Sequence, residues 1–429
     1  MAAPALCRDA LTYVAFLLVG TSCGWFVVNG LYNLIANEPE VAKGGQMMGE
    51  VNLVGSYVSL ALCGGFALYT LCKSLSQRTE VWASSLLILI SLLSLVLLAC
   101  AWNVSPPGYP VVLICAATGS IVGNGSILLL FPLISTFYGG WLVAPVRAGT
   151  DLSSMISALL AETQSSDGTT QRYPSWLLFV FYSLISCMGL VAWAMILKHG
   201  IGLRDLPGKG DKSCAEDIAD EAGSDSSATN TTSKETDWPR EQPLMASLAC
   251  PWELRLVISA AVVTQITQWA ISPNLGEIGA EMCDPESCDG HTGRFIWRTS
   301  LTLSQILVPF GSLLSSISAC PRWIFYILCL LQYVSCLLVT LASLGVWRNM
   351  WMSQVGQALF IASFAFCGAS EGYLITMAYR YIGDASNVPL DKRHSAGALL
   401  GVGTVATVGV CGLILSSAVA GKHITCVAP

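Results

Sequence analysis

Charge is scarce in this chain of 429 residues: 11% of them are Asp, Glu, Lys or Arg, whereas 54% are hydrophobic. A soluble domain carries about 25% charged residues and has no means of burying so much apolar surface. A soluble globular protein is therefore excluded, and a polytopic membrane protein is expected. The 21 basic residues are outnumbered by 27 acidic ones, so the basic face that a nucleic-acid partner requires is missing too.

Motifs of metal and redox chemistry are also missing. The sequence contains no HExxH zinc motif, and none of its 17 cysteines forms a CxxC pair. The four histidines fall in loops or near the ends of apolar runs. We therefore expect neither an enzyme nor a metal or cofactor site.

Long apolar runs make up most of the sequence. About 20 apolar residues are needed to cross the hydrocarbon core of a bilayer, and eleven runs meet that length. They span residues 11–36, 51–72, 81–102, 110–135, 141–161, 176–197, 254–275, 295–318, 323–344, 353–379 and 395–419. The fifth run is the most polar because it holds Arg147 and Asp151. The sequence predicts an all-α protein with about eleven transmembrane helices.

A polar stretch at 198–252 separates the sixth run from the seventh. It is rich in Ser, Thr and acidic residues and has few large apolar ones, so it cannot bury enough surface to fold alone. We predict a disordered linker there. It divides the chain into a six-helix bundle at 1–197 and a five-helix bundle at 253–429.

Lys and Arg residues predict the orientation. With the amino terminus in the cytosol, fourteen of the 21 basic residues fall on the cytosolic side and six outside, as the positive-inside rule requires. The linker is then cytosolic and the carboxyl terminus extracellular. Asn103 begins a glycosylation sequon on the outer side. Cys283, Cys288 and Cys426 also lie outside, where disulfides persist, and the sequence leaves open which two would pair.

Three charged residues, Arg147, Asp151 and Glu371, fall within the runs away from their ends, and each costs at least ~2.5 kcal/mol near the helix centre. Arg147 and Asp151 are four residues apart, so they share a helix face and can pair with each other. Such a pair serves structure or contacts a substrate, and both readings stand. Glu371 is a single acid in a long apolar run. We predict coupling or gating roles for Glu371, Arg147 and Asp151.

Uncharged polar side chains are more numerous within the runs. Hydrogen bonding between helices is one explanation, but a polar, uncharged substrate would need the same lining, because amides both donate and accept. Trp25 and Tyr32 lie close enough in sequence to Asn29 to stack on a planar ring. The amides within the runs include Asn29, Asn33, Asn124, Gln265, Gln268, Gln305 and Gln357.

Four segments resemble the eukaryotic riboflavin transporter family, solute carrier family 52. They include CGWFVVNG at 23–30, GSYVSLALCGG at 55–65, the stretch from Asn124 to Gln164, and 264–283 with its Thr-Gln and Ile-Ser-Pro. The resemblance implies a plasma-membrane transporter that takes up riboflavin. Together with the amides it predicts substrate contacts at five residues: Trp25, Asn29, Asn124, Thr150 and Gln265.

A second resemblance competes with the first. SEGYLITMAYRY at 370–381 is similar to the closing signature of the equilibrative nucleoside transporters, with Glu371 where that family has Asn. Both families imply a major-facilitator-like fold and a small neutral heterocycle carrying a polyol or ribose, bound near the midplane. Riboflavin uptake by alternating access is the leading hypothesis. The alternatives are a nucleoside or nucleobase carrier and a non-transporting membrane receptor. Membrane lipids are the other expected partners, and the oligomeric state is left open.

Overall fold

The structure, a computed structural model, describes residues 3–37, 46–72, 77–104, 109–138, 140–164, 172–201, 252–283, 291–317, 320–384, 388 and 390–419. Most of the predicted linker, including 202–250, lies outside these residues. The described helices are α1 (Ala3–Thr21), α2 (Trp25–Asn37), α3 (Gln46–Cys72), α4 (Gln77–Val104), α5 (Tyr109–Leu133), α6 (Val143–Gln164), α7 (Ser175–His199), α8 (Trp252–Ile266), α9 (Ser272–Met282), α10 (His291–Ile317), α11 (Arg322–Ser343), α12 (Arg348–Trp351), α13 (Gln354–Gly383) and α14 (Leu390–Val419).

The described helices confirm the predicted fold class. Nine spans are long and apolar enough to cross a membrane, and a tenth is formed if the bent pair α1 and α2 is one span. The one predicted run that this count omits is the fifth, α6, which is more polar but has 22 residues, or about 33 Å at 1.5 Å per residue. This is an all-α polytopic membrane protein.

The first predicted run is not one straight helix. It bends by 55° between Asp9–Thr21 and Trp25–Leu34. Gly24 adopts φ +85°, and a Cβ there would come within 2.6 Å of Val122 Cβ, so both backbone and packing favour glycine. The break directs the chain into α2, which begins at Trp25.

Residues 20–24 also match GxSxG, the pattern that surrounds the nucleophilic serine of many hydrolases. Ser22 in this pattern is buried and donates to Val19 O at 2.7 Å. It therefore satisfies a carbonyl at the end of α1 and does not stand at a strand-to-helix turn. The pattern here is part of a helix break.

The seventh predicted run is also interrupted. After α8 the chain forms one π-helical turn, Thr267–Ile271, and then continues as α9 to Met282. A π turn inserts a wider loop into the backbone ladder and often occurs at functional sites. Here it carries Gln268 and Trp269.

Two sets of helix contacts join the first six predicted spans to the last five. α6 packs along α10, and α14 packs against α3 and α5. α6 and α10 are spans five and eight, and α3 and α14 are spans two and eleven. Span eleven thus follows span five by six spans, and span eight follows span two by six spans. Two related halves would give this arrangement. The division into bundles at 1–197 and 253–429 stays a prediction.

Candidate functional site

A cavity with about 450 Å³ of space between protein atoms, part of it open to solvent, lies among α2, α5, α6, α8 and α14. The cavity lining comprises Trp25, Asn29, Asn124, Ile127, Arg147, Thr150, Asp151, Ser154, Gln265, Trp269, Thr404, Val405 and Val408. All five residues predicted to contact substrate are among them, although they come from four different helices. Their contact with a substrate stays a prediction.

Two tryptophans form an aromatic wall of the cavity. Trp25 begins α2, and Trp269 lies in the π turn after α8. Their ring centroids are 5.6 Å apart with an interplanar angle of 34°. Paired indoles offer a large, rigid apolar surface on which a planar ring can stack. Tyr32 is instead engaged, since its hydroxyl donates to Asn52 Oδ1 at 2.6 Å.

Three buried polar atoms of the lining have no hydrogen-bond partner among the described residues: Trp25 Nε1, Asn29 Oδ1 and Thr404 Oγ1. The amide nitrogen of Asn29 is engaged, because it donates to Ser153 Oγ at 3.2 Å, which leaves the oxygen as acceptor. A buried donor or acceptor without a partner costs about 1–3 kcal/mol. A molecule that both accepts and donates hydrogen bonds would satisfy these atoms.

Other lining residues already have partners. Asn124 Nδ2 donates to Ser59 Oγ at 2.9 Å, and Thr150 Oγ1 donates to Val146 O at 3.0 Å. The first contact joins α5 to α3, and the second lies within α6. Both residues thus have a structural role in addition to lining the cavity.

A buried charge cluster lies beside the cavity, and two of its three members, Arg147 and Asp151, line it. We call Arg147, Asp151 and Glu371 the charge triad. Arg147 Nη2 lies 3.1 Å from Asp151 Oδ1 and 2.7 Å from Glu371 Oε1. None of the three residues is more than 3% exposed. The predicted Arg147–Asp151 pair is present, and the guanidinium also reaches the acid of the distant helix α13.

Further donors surround the two carboxylates. Glu371 Oε1 also accepts from the Gln265 side chain and from Trp269 Nε1 at 3.4 Å. Asp151 Oδ2 accepts from Ser312 Oγ at 2.5 Å. The charge triad therefore ties α6 to α10 and α13, and two of its donors also line the cavity. Glu371 Oε2 is buried without a hydrogen-bond partner in the described structure.

A second ion pair joins α6 to α10 near the ends predicted to face outside. Arg298 Nε donates to Glu162 Oε1 at 2.6 Å, and its Nη2 contacts Glu162 Oε2. Thr302 Oγ1 donates to the same carboxylate at 3.3 Å. The sequence did not predict this pair. Paired charges 136 residues apart leave no local signal.

The outer-side predictions fall mostly beyond the described residues. Cys283 is buried, whereas its candidate partners Cys288 and Cys426 lie outside the described ranges. Asn103 is exposed near the end of α4, and the serine of its sequon, Ser105, is not described. In the described part of the chain, no group of three His, Cys, Asp or Glu residues is placed to hold a metal ion.

Taken together, the helices and the cavity define a polytopic membrane protein with a buried, hydrogen-bonding site. No protein-family model matches the chain, and no curated protein was found as a relative. Among solved structures, the chain is similar to the crystal structure of a mutant of the nucleoside transporter NupG. The identity is 12%, the TM-score is 0.48, and the match covers 95% of this chain and 91% of that one. A likeness this distant decides neither the substrate nor the site residues.

Proposed function

We propose that this protein carries a small neutral heterocycle across the plasma membrane by alternating access, with riboflavin as the substrate. The observation that carries the proposal is the set of unpartnered atoms in an aromatic-walled cavity: one N–H donor, one amide acceptor and one hydroxyl. The isoalloxazine ring of riboflavin is planar and bears carbonyl acceptors beside an imide N–H. Its ribityl chain adds hydroxyls that donate and accept.

The charges support a neutral substrate. Arg147 and Asp151 line the cavity, but they pair with each other, and Arg147 also pairs with Glu371. The guanidinium is therefore engaged by two carboxylates and is not offered to an anionic ligand. The charge triad carries no net positive charge, so it gives a phosphate group no favourable partner. We expect riboflavin to be carried and flavin mononucleotide to be excluded.

Contacts between the predicted halves support alternating access. On the side predicted to face outside, Asn33 Nδ2 donates to Gln305 Oε1 at 3.4 Å, and Glu162 pairs with Arg298. On the opposite side, the hydroxyls of Tyr13 and Ser316 are 2.8 Å apart. Each set of contacts would have to open in turn for a substrate to enter on one side and leave on the other.

A nucleoside is the second candidate. The uracil ring presents the same acceptor–donor–acceptor imide edge as the flavin, so it can satisfy the same Trp25 and Asn29 atoms. The resemblance of 370–381 to nucleoside transporters points the same way.

Uptake of labelled riboflavin into cells that express the protein tests the proposal. We expect saturable uptake that excess unlabelled riboflavin and lumiflavin compete for and that flavin mononucleotide does not. Saturable uridine uptake that riboflavin does not affect would select the second candidate. Protein at the cell surface with no uptake of either solute would refute transport and favour a receptor.

The unpartnered indole gives a sharp test of the binding mode. Trp25→Phe keeps an aromatic ring and removes the N–H donor. One net hydrogen bond is worth about 0.5–1.5 kcal/mol, so we expect KM for uptake to rise about three- to tenfold. Trp82→Phe is the control, because that indole is 71% exposed on α4. An unchanged KM in Trp25→Phe would remove the indole N–H from substrate binding.

The Glu162–Arg298 pair is expected to hold the outer side closed. Arg298→Glu places two acids against each other, and like charges at about 4 Å cost about 1 kcal/mol in a watery environment. We expect the uptake rate to change about fivefold and the double variant Glu162→Arg with Arg298→Glu to restore it. Arg348→Glu, an exposed charge change on α12, should leave uptake unchanged. Failure of the double variant to restore the rate would show that the pair does not act as a unit.

A further inference from the structure

We infer that the charge triad is a proton-binding site that couples substrate uptake to a proton gradient. This inference rests on the proposed transport function. Facilitated diffusion needs no such site, whereas a proton-driven carrier accumulates its substrate. The inference depends on the charges, their burial and their position between the predicted halves.

The triad contains two acids and one base. Arg147 contributes one positive charge, and ionised Asp151 and Glu371 contribute two negative charges within 3.1 Å of it. All three side chains are almost completely buried, where an uncompensated charge is strongly disfavoured. One bound proton, which converts a single carboxylate into a carboxylic acid, makes the cluster neutral.

No other charge in the described surroundings compensates the excess acid. The remaining titratable groups near Arg147 are the Tyr379 phenol on α13 and the Cys23 thiol at the α1–α2 break. Ser312 approaches from α10, and Gln265 and Trp269 from α8 and its π turn. A phenol and a thiol are neutral in their protonated forms, so neither supplies a counter-cation.

Glu371 has an atom suited to hold the proton. Its Oε1 accepts from Arg147, Gln265 and Trp269, whereas its Oε2 is buried without a hydrogen-bond partner in the described structure. A proton on Oε2 leaves the three donors on Oε1 in place. Arg147 and Asp151 line the cavity, so the charge triad borders the space through which a substrate and a proton would pass.

Protonation would also change the connection between the predicted halves. The contact of Arg147 with Glu371 joins α6 to α13. When Glu371 is neutral, the attraction between these helices weakens, whereas the Arg147–Asp151 pair within α6 persists. A proton that enters from outside with the substrate and leaves to the cytosol would thus loosen and restore this tie once per cycle.

Infrared spectroscopy of the purified protein at neutral pH tests the proton site without any substrate. We expect a protonated-carboxyl carbonyl band in the wild type. Glu371→Gln and Asp151→Asn each leave one acid with one base, so both should lose the band. Asp9→Asn, an exposed change on α1, should keep it. The absence of the band from the wild type, or its persistence in both triad variants, would overturn the proton site.

Transport in liposomes tests the coupling. With purified protein and labelled riboflavin, or uridine if that is the substrate, an inward proton gradient should drive accumulation at least several-fold above equilibrium in the wild type. Glu371→Gln should keep exchange of labelled for unlabelled solute and lose gradient-driven accumulation. Exchange without accumulation in the wild type would overturn coupling and leave the transport function standing. The absence of exchange with every flavin and nucleoside would refute the transport function, and coupling with it.

Discussion

Arg147→Met should cost about 3–5 kcal/mol of stability and remove most of the folded protein from the membrane. Removal of one partner from a buried ion pair leaves the other charge uncompensated, which is the costly step. Arg147 is bound to both Asp151 and Glu371, so its removal leaves two buried acids without a counter-ion. The measurement is the thermal midpoint of the detergent-solubilised protein, followed by size-exclusion chromatography.

Two further variants show whether the lost charge or the changed side-chain shape causes the loss of stability in Arg147→Met. Arg147→Met combined with Asp151→Asn and Glu371→Gln leaves no charge in the triad, so folding should return even though coupling does not. A neutral cluster of similar volume is often as stable as the ion pair it replaces. Arg348→Met removes an exposed arginine and should leave the thermal midpoint unchanged. Wild-type stability of Arg147→Met alone would contradict the buried triad.

The triad also illustrates what the sequence could predict about the site. The pairing of Arg147 with Asp151 was predictable, because a spacing of four places both on one face of a helix whatever the rest of the fold does. The contact with Glu371 was not, because 224 residues separate the two partners. The same holds for Glu162 and Arg298. Local spacing carries no information on which distant helices meet.

The membrane spans were predictable for a different physical reason. A bilayer fixes the length of an apolar run, so the positions of the helices follow from composition. The interruptions were harder to foresee. Gly24 is a visible cause of the bend before Trp25, but the π turn that carries Trp269 lies in a run with no proline or glycine until Pro273. The sequence did not predict that Trp269 or Thr404 lines the cavity.

A close approach of α1 to α6 holds the cavity wall in place. Gly20 on α1 and Gly149 on α6 face each other so closely that a Cβ on Gly149 would lie 2.9 Å from Gly20 Cα and overlap Leu17 O. A Cβ on Gly20 would likewise lie 2.9 Å from Gly149 Cα. Backbone cannot yield as a flexible side chain can, so the helices would have to separate.

Gly149→Ala should therefore destabilise the protein by about 1–3 kcal/mol or more, the range for overpacking. It should also abolish uptake, because Thr150 and Asp151 follow directly and would move with the backbone of α6. The thermal midpoint and labelled uptake measure the two effects. Gly64→Ala on α3 is the matched control, since a Cβ there meets no atom within 4 Å, and alanine favours a helix by about 1 kcal/mol over glycine. If both variants fold and transport like the wild type, the α1–α6 contact does not hold the site.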